Sequence, residues 1–147
     1  MDSKPEKHIS GPILGAERDL VVTFLRDEGY KETIQAADLI FAAWNGIEVL
    51  GAVRLAEENG VTVLRGMRVR HDLRRQGIGT QLLHKLAESI GLQTCYCIPY
   101  GWLLGFYGRI GFERISPDQT PDFLKDRLAN YRERGLNVDV MARFPTP

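Results

Sequence analysis

The chain has 147 residues, enough for one domain with a sizeable core. Lys+Arg and Asp+Glu both number 19, for a net charge of +0, which excludes the global basic field that gathers nucleic acid or an anionic membrane surface. No apolar run reaches the roughly 18 residues of a membrane span, and the polar start lacks the apolar stretch of a secretory signal, so the expectation is a cytoplasmic protein with no nucleic-acid and no membrane partner.

Residues 1–12 read as a flexible tail, with His8 given no role, and 13–147 as the folded domain. From Ala16 onward Leu20, Val21, Phe24 and Leu25 keep helical spacing until Gly29. Two strand-like runs, 39–44 and 47–55, are joined by Asn45-Gly46, a hairpin signal because both central positions of a type I′ turn need positive φ. Asn59-Gly60 repeats the device and leads into residues 61–69, so three antiparallel strands form a meander. Ile78, Leu82, Leu83, Leu86 and Ile90 then mark one stripe of a helix ending at Gly91, with His84 beside the stripe. A strand over 93–98 is cut by Pro99. Its two cysteines, Cys95 and Cys97, share a face without disulfide or metal-ligand spacing, and are expected to be reduced and structural. A short helix over 102–107, a strand beginning at Gly111-Phe112, a helix from Thr120-Pro121 to Gly135 and a strand over 137–144 complete the chain. The expected fold is α/β: a mixed central sheet, an antiparallel meander plus strands around a helix crossover, flanked by helices.

The most informative segment joins the third strand to the second helix. Arg65, Arg68, Arg70, Arg74 and Arg75 concentrate positive charge there, although the chain as a whole is neutral. In Arg74-Arg75-Gln76-Gly77-Ile78-Gly79-Thr80, two glycines allow a tight turn and a close approach of backbone to ligand. The following helix aims its unpaired N–H groups and the positive end of its dipole at the turn. Together these make a cradle for phosphate or pyrophosphate. A P-loop is excluded, because no Gly-Lys-Ser/Thr follows. A dinucleotide fingerprint is excluded because Leu82 stands where its third glycine belongs.

Arg74-x-x-Gly77-x-Gly79 between strand and helix resembles the acetyl-CoA signature of the GNAT N-acetyltransferase superfamily. Phe106-Tyr107-Gly108-Arg109-Ile110-Gly111-Phe112 is similar to that family's second signature, and the resemblance spans residues 14–144. It implies a single GNAT-like domain that transfers acetyl from acetyl-CoA, as co-substrate, to a primary amine by direct attack in a ternary complex. The cofactor-binding positions would be Arg74, Arg75, Gln76, Gly77, Ile78, Gly79 and Thr80 for the pyrophosphate. Met67 and Val69 would offer backbone to the pantetheine arm, and the Val69 N–H would meet the oxyanion. Tyr107 would be the general acid for the departing thiolate. A homodimer is also expected from the resemblance.

Two departures from the family pattern matter. No carboxylate lies within residues 61–65, where some members carry a glutamate base, and none of Glu57, Glu58, His71 and Asp72 is assigned that role. Tyr100 stands where many relatives have a cofactor-contacting asparagine, so the segment 99–102 is expected to shape the acceptor pocket or the cofactor's rim. Arg54, Arg65 and Arg68 are candidates for clamping a carboxylate of the acceptor, which would make the acceptor a small, amino-acid-like amine. The opposing reading is a set of cross-strand ion pairs with Glu48 and Glu57. Three alternatives stay open: a non-catalytic acyl-CoA sensor, an enzyme acting on protein lysine or amino termini, and an acetyl-carrying Cys97.

Overall fold

A computed structural model describes residues 7–145. Strands β1 (Lys7–Ser10), β2 (Leu39–Asn45), β3 (Glu48–Glu58), β4 (Val61–Val69), β5 (Cys95–Cys97), β6 (Glu113–Arg114) and β7 (Met141–Arg143) form one sheet in the order β1-β2-β3-β4-β5-β7-β6. The β4–β5 pair is parallel and the others are antiparallel. The helices are α1 (Gly15–Asp27), α2 (Ile78–Ile90), α3 (Leu104–Gly108) and α4 (Asp122–Glu133). This is the mixed, helix-flanked α/β sheet that the sequence implies.

Alternation along the strands divides the core between the two faces. On one face α2 buries Ile78, Leu82, Leu83, Leu86 and Ile90 against Phe41, Leu50, Val53, Leu64, Cys95 and Cys97. At about 2 kcal/mol for each fully buried aliphatic side chain, this stripe is a principal anchor of the sheet. On the other face α1 packs Val21 and Leu25 against Ile40, Ala42, Trp44 and Ala52, and α4 sets Leu124 on Val63, Tyr96 and Ala142. Cys95 and Cys97 are buried free thiols on the α2 face.

Two local expectations are corrected. Lys7–Ser10, expected within a loose tail, pairs with β2. Trp44 donates its indole N–H to Ser10 Oγ at 2.9 Å, and His8 stacks on the Trp44 ring. A polar strand is held here by partners far along the chain, which composition does not reveal. Residues 1–6 of the expected tail lie outside the described residues. In the first hairpin Asn45 pairs with Glu48, so the loop is Gly46-Ile47 and only Gly46 (φ 63°) takes positive φ. A glycine at the first loop position suits a type II′ turn. The second hairpin turns at Asn59 (φ 49°) and Gly60 (φ 81°), as expected.

The irregularity with the widest effect is in β4. Ala52 pairs with Arg68 and Arg54 with Arg65, so Val53 alone faces both Gly66 and Met67. This is a β-bulge, with Gly66 at φ 58°. The bulge reverses the alternation: Leu64, Met67 and Val69 lie on the α2 face, while Arg65 and Arg68 both turn to the α1 face. A Cβ on Gly66 would sit 2.6 Å from the Tyr30 ring.

Gly66→Ala adds left-handed strain to a clash with a ring that hydrogen bonds hold in place. It is expected to destabilise the fold by about 2–4 kcal/mol in urea titration. Burial raises the carboxyl pKa of Glu58, but its hydrogen bonds and charge contacts with Arg127 and Arg65 outweigh that, and the net shift is downward from 4.5. Its stabilisation is therefore full above the unfolded value and lost as pH falls through the lower folded value. Glu58→Gln should flatten the acid limb of a stability–pH profile below about pH 4.5.

Candidate functional site

The site begins where β4 and β5 part. They share only two pairs, Thr62 with Cys95 and Val63 with Tyr96. Beyond Leu64, β4 runs on to Val69 with β3 on one side and, among the described residues, no strand on the other. Arg70 N donates to Leu50 O at 2.9 Å, so Arg70 points its backbone at β3. By alternation Val69, and Met67 before it, turn N–H and C=O toward the gap.

At the end of this gap lies the arginine-rich turn. After a 3-10 turn at His71–Leu73, the chain reaches Arg75 in left-handed conformation (φ 68°) and Gly77 (φ 84°), and α2 begins. Among the described residues no backbone N–H from Arg74 to Thr80 has a protein acceptor; the first paired amide is Gln81, bonded to Gly77 O at 3.0 Å. No side chain caps the helix. The two glycines serve different ends. A Cβ on Gly77 would meet nothing within 4 Å, so its side of the turn is open, whereas one on Gly79 would press on Phe106 at 3.0 Å. Gly79 thus lets α3 close against the start of α2.

Arg74 and Arg75 are exposed, and neither forms an ion pair among the described residues. A third cation, not singled out from the sequence, joins them. Arg109, at the end of α3, donates to Thr80 Oγ1 at 2.8 Å and lies over the Phe106 ring. Its place inside the second signature was the available signal, but only the packing of α3 on α2 reveals its direction.

Tyr107 is buried beneath this turn, edge-on to Phe106 and Phe112. Every fully buried side-chain nitrogen or oxygen among the described residues has a hydrogen-bond partner. The Tyr107 hydroxyl has no protein partner there and so retains contact with open space. Burial pushes its pKa upward, as does neighbouring Cys97, while the charge of Arg68 opposes the rise. The phenol therefore stays protonated at neutral pH. Cys97 is fully enclosed, and burial raises its thiol pKa well above 9.0, so the thiolate needed for nucleophilic attack is suppressed.

The three arginines expected to meet the acceptor separate into two kinds. Arg54 is 3% exposed and bonds Asp38 Oδ2 at 2.5 Å, the Tyr30 hydroxyl at 2.6 Å and Thr33 O at 3.1 Å. Arg65 pairs with Glu32 at 2.8 Å and Glu58 at 2.7 Å, and Glu58 also holds Arg127 of α4. Both are structural cations, which corrects the expectation that they clamp substrate. The ion-pair alternative is corrected in its partners: Glu48 binds Arg70, and Glu57 accepts from the Thr62 hydroxyl. Arg68 is half-buried and has no ionic partner among the described residues. Tyr100 and Trp102 stack 4.6 Å apart at the end of β5 and are largely exposed. His71 is exposed and Asp72 is paired with Arg70.

Among the described residues no helix is long and apolar enough to cross a membrane, and no group of His, Cys, Asp and Glu could hold a metal ion. The sequence model of the acetyltransferase (GNAT) domain matches residues 6–126. No curated protein matches significantly. Solved structures share the architecture. Escherichia coli ElaA superposes with a TM-score of 0.65 at 16% identity, over 94% of this chain and 98% of that one. The ribosomal-protein-S18-alanine N-acetyltransferase from Escherichia coli gives 0.65 at 16%, over 95% and 94%. N-acetylglutamate synthase from Neisseria gonorrhoeae, complexed with coenzyme A and N-acetyl-glutamate, gives 0.64 at 15%, over 99% of this chain and 36% of that one. These likenesses establish the fold, and the match over most of the sequence establishes the lineage: the chain belongs to the GNAT family of acetyltransferases.

Proposed function

We propose that this protein transfers the acetyl group of acetyl-CoA to a primary amine of a small molecule by direct attack in a ternary complex. The observation that carries this reading is the uncapped start of α2, where the amides from Arg74 to Thr80 have no acceptor among the described residues and the turn is open at Gly77. Amides, helix dipole and the guanidinium groups of Arg74, Arg75 and Arg109, which have no ionic partner among the described residues, suit a pyrophosphate. The unpaired edge at Met67 and Val69 suits an extended amide-bearing arm, which it would bind as an added strand. Acetyl-CoA combines those two features.

In this reading the acceptor ammonium first loses a proton to solvent. The amine lone pair then attacks the thioester carbon, and the Val69 N–H supports the oxygen as it gains charge. The C–S bond breaks as the tetrahedral centre collapses. Tyr107 donates a hydrogen bond, then its proton, to the departing sulfur. The proton still on nitrogen leaves and restores the phenol, so the products are the amide, free CoA and one net proton. A phenol raised above 10 is a weaker acid than a thiol near 8.5. Complete transfer from Tyr107 is therefore uphill until the nitrogen proton becomes available. Its contribution is chiefly to stabilise the developing thiolate.

One observation favours a sensor as the second reading: no side chain of the cleft is placed as a base. Glu58 is bound by two arginines, Asp72 by one, and Glu57 lies at a solvated hairpin. Direct loss of the proton to water serves an enzyme equally well.

Free-CoA release from acetyl-CoA should appear with one class in a panel of amino acids, polyamines, aminoglycosides and a lysine peptide. Tyr107→Phe should lower kcat by about a hundredfold with acetyl-CoA affinity unchanged. Tight acetyl-CoA binding without release from any amine would favour the sensor, and release with the peptide alone would move the acceptor to protein. The double variant Arg74→Gln, Arg75→Gln should weaken acetyl-CoA binding by about tenfold or more at low salt. High salt should narrow that difference, as calorimetry would detect.

A further inference from the structure

Three arginines face the α1 side of the sheet around the parting, and two are already neutralised. Arg54 is enclosed by Asp38, Tyr30 and Thr33, and Arg65 lies between Glu32 and Glu58. Arg68 is different. Its guanidinium rests 5.6 Å from the centroid of the Tyr30 ring, and its one hydrogen bond is a 3.3 Å contact to the carbonyl of the adjacent Met67. No carboxylate among the described residues lies within 4.0 Å. Glu32 and Asp38, the acids of the neighbouring loop, are engaged by Arg65, Arg54 and Tyr30.

A guanidinium offers five N–H donors, and among the described residues only one of these is used. A half-buried cation without a counter-ion has lost hydration that, among the described residues, only the Tyr30 ring and one carbonyl replace. The bulge at Gly66 turns Arg68 to this face, and Arg68 stands on the stretch of β4 beyond Leu64 that has no β5 partner, between Met67 and Val69 at the gap. The cradle amides and Arg74, Arg75 and Arg109 already provide for the phosphates of the donor. Arg68 is the cation left for the other substrate.

We propose that Arg68 binds a carboxylate of the acceptor, so that the acceptor is an amine that also carries a carboxylate, an amino acid or a close relative. The inference rests on the acetyltransferase reading of the cleft. A planar fork matches a carboxylate through two parallel hydrogen bonds, and it fixes the amine's distance from the thioester as well as its affinity. Polyamines and aminoglycosides would bring positive charge against an unneutralised cation. Arg54 and Arg65 then act through others: they hold Tyr30 and Glu32, and Tyr30 is the shelf on which Arg68 lies.

The test uses the full chain saturated with CoA or acetyl-CoA. Probes are the protein amino acids, their carboxamides, the corresponding decarboxylated amines and spermidine. Expected is turnover with at least one amino acid and at least a tenfold lower kcat/KM for its carboxamide. Arg68→Gln should abolish that preference by raising KM about tenfold or more, with Arg68→Lys intermediate and acetyl-CoA affinity unchanged in both. Unchanged affinity also shows that the variants fold. Turnover with carboxamide or spermidine as good as with any amino acid overturns the proposal and leaves the acetyltransferase reading standing. Weakened acetyl-CoA binding in Arg68→Gln overturns it too, by assigning Arg68 to the donor. Calorimetry separates the remaining case. If no amine turns over, Arg68-dependent binding of an amino acid to the CoA-saturated protein supports the anion site while the transferase reading falls. Absence of that binding overturns the site as well.

Discussion

The parting of β4 from β5 is the constraint on which the rest of this molecule depends. A parallel pair that continued past Val63 would bond the backbone of Met67 and Val69 and fill the sheet between Arg68 and Tyr107. Instead β5 ends at Cys97, two residues before Pro99, and β4 continues alone on that side. An open strand edge in the middle of a sheet invites unwanted pairing unless something covers it. Here the edge is flanked by α2 and α3 on one face, where Met67 packs, and by Tyr30 against Gly66 on the other. The proposed donor would cover it as an added strand.

Around this opening the chain uses arginine in two ways. Arg54, Arg65 and Arg127 are tied to Asp38, Glu32 and Glu58, and through them the loop after α1 is bound to β3, β4 and α4. Burial raises the Tyr30 pKa despite the neighbouring Arg54, so its hydroxyl remains a donor to Glu32 at 2.8 Å while accepting from Arg54. Buried ion pairs of this kind add little net stability over a well-packed apolar core, but breaking one partner is costly. Their effect is to fix one arrangement of the wall. The arginines without such partners, Arg68, Arg74, Arg75 and Arg109, lie where the proposed ligands carry negative charge. The net charge of zero reflects 19 basic and 19 acidic residues summed over the whole chain, so it does not require a neutral cleft.

What could be read from the sequence was what depends on neighbours in the chain. The stripe of α2 and its bounds, the Asn59-Gly60 turn and the shared face of Cys95 and Cys97 follow from periodicity and backbone preference, and the structure agrees. The first hairpin was found with its loop one residue off, because Gly46-Ile47 satisfies a different turn from the one Asn45-Gly46 suggests. Residues 7–10 escaped notice because their pairing depends on Trp44, more than thirty positions away. The arginines were recognised as a group but not sorted. Which of them are neutralised depends on Glu32 and Asp38, contributed by the loop after α1, whose approach no local pattern encodes. Tyr107 and the glycines of the turn were singled out through the two signature segments; the direction of Arg109 was not readable there, since it is set by α3 meeting α2.

The bulge in β4 has a consequence for how this chain can diversify. Residues before and after Gly66 obey opposite parities, and this alone puts Arg65 and Arg68 on one face with Met67 and Val69 on the other. Loss of a single residue at the bulge would restore regular alternation and exchange every side chain of β4 from Met67 onward between the two faces of the sheet. Substitution can retune one side at a time, but a change in length here rewrites both at once. Position-by-position comparison of β4 with a relative is therefore meaningful only once the relative is known to share this extra residue.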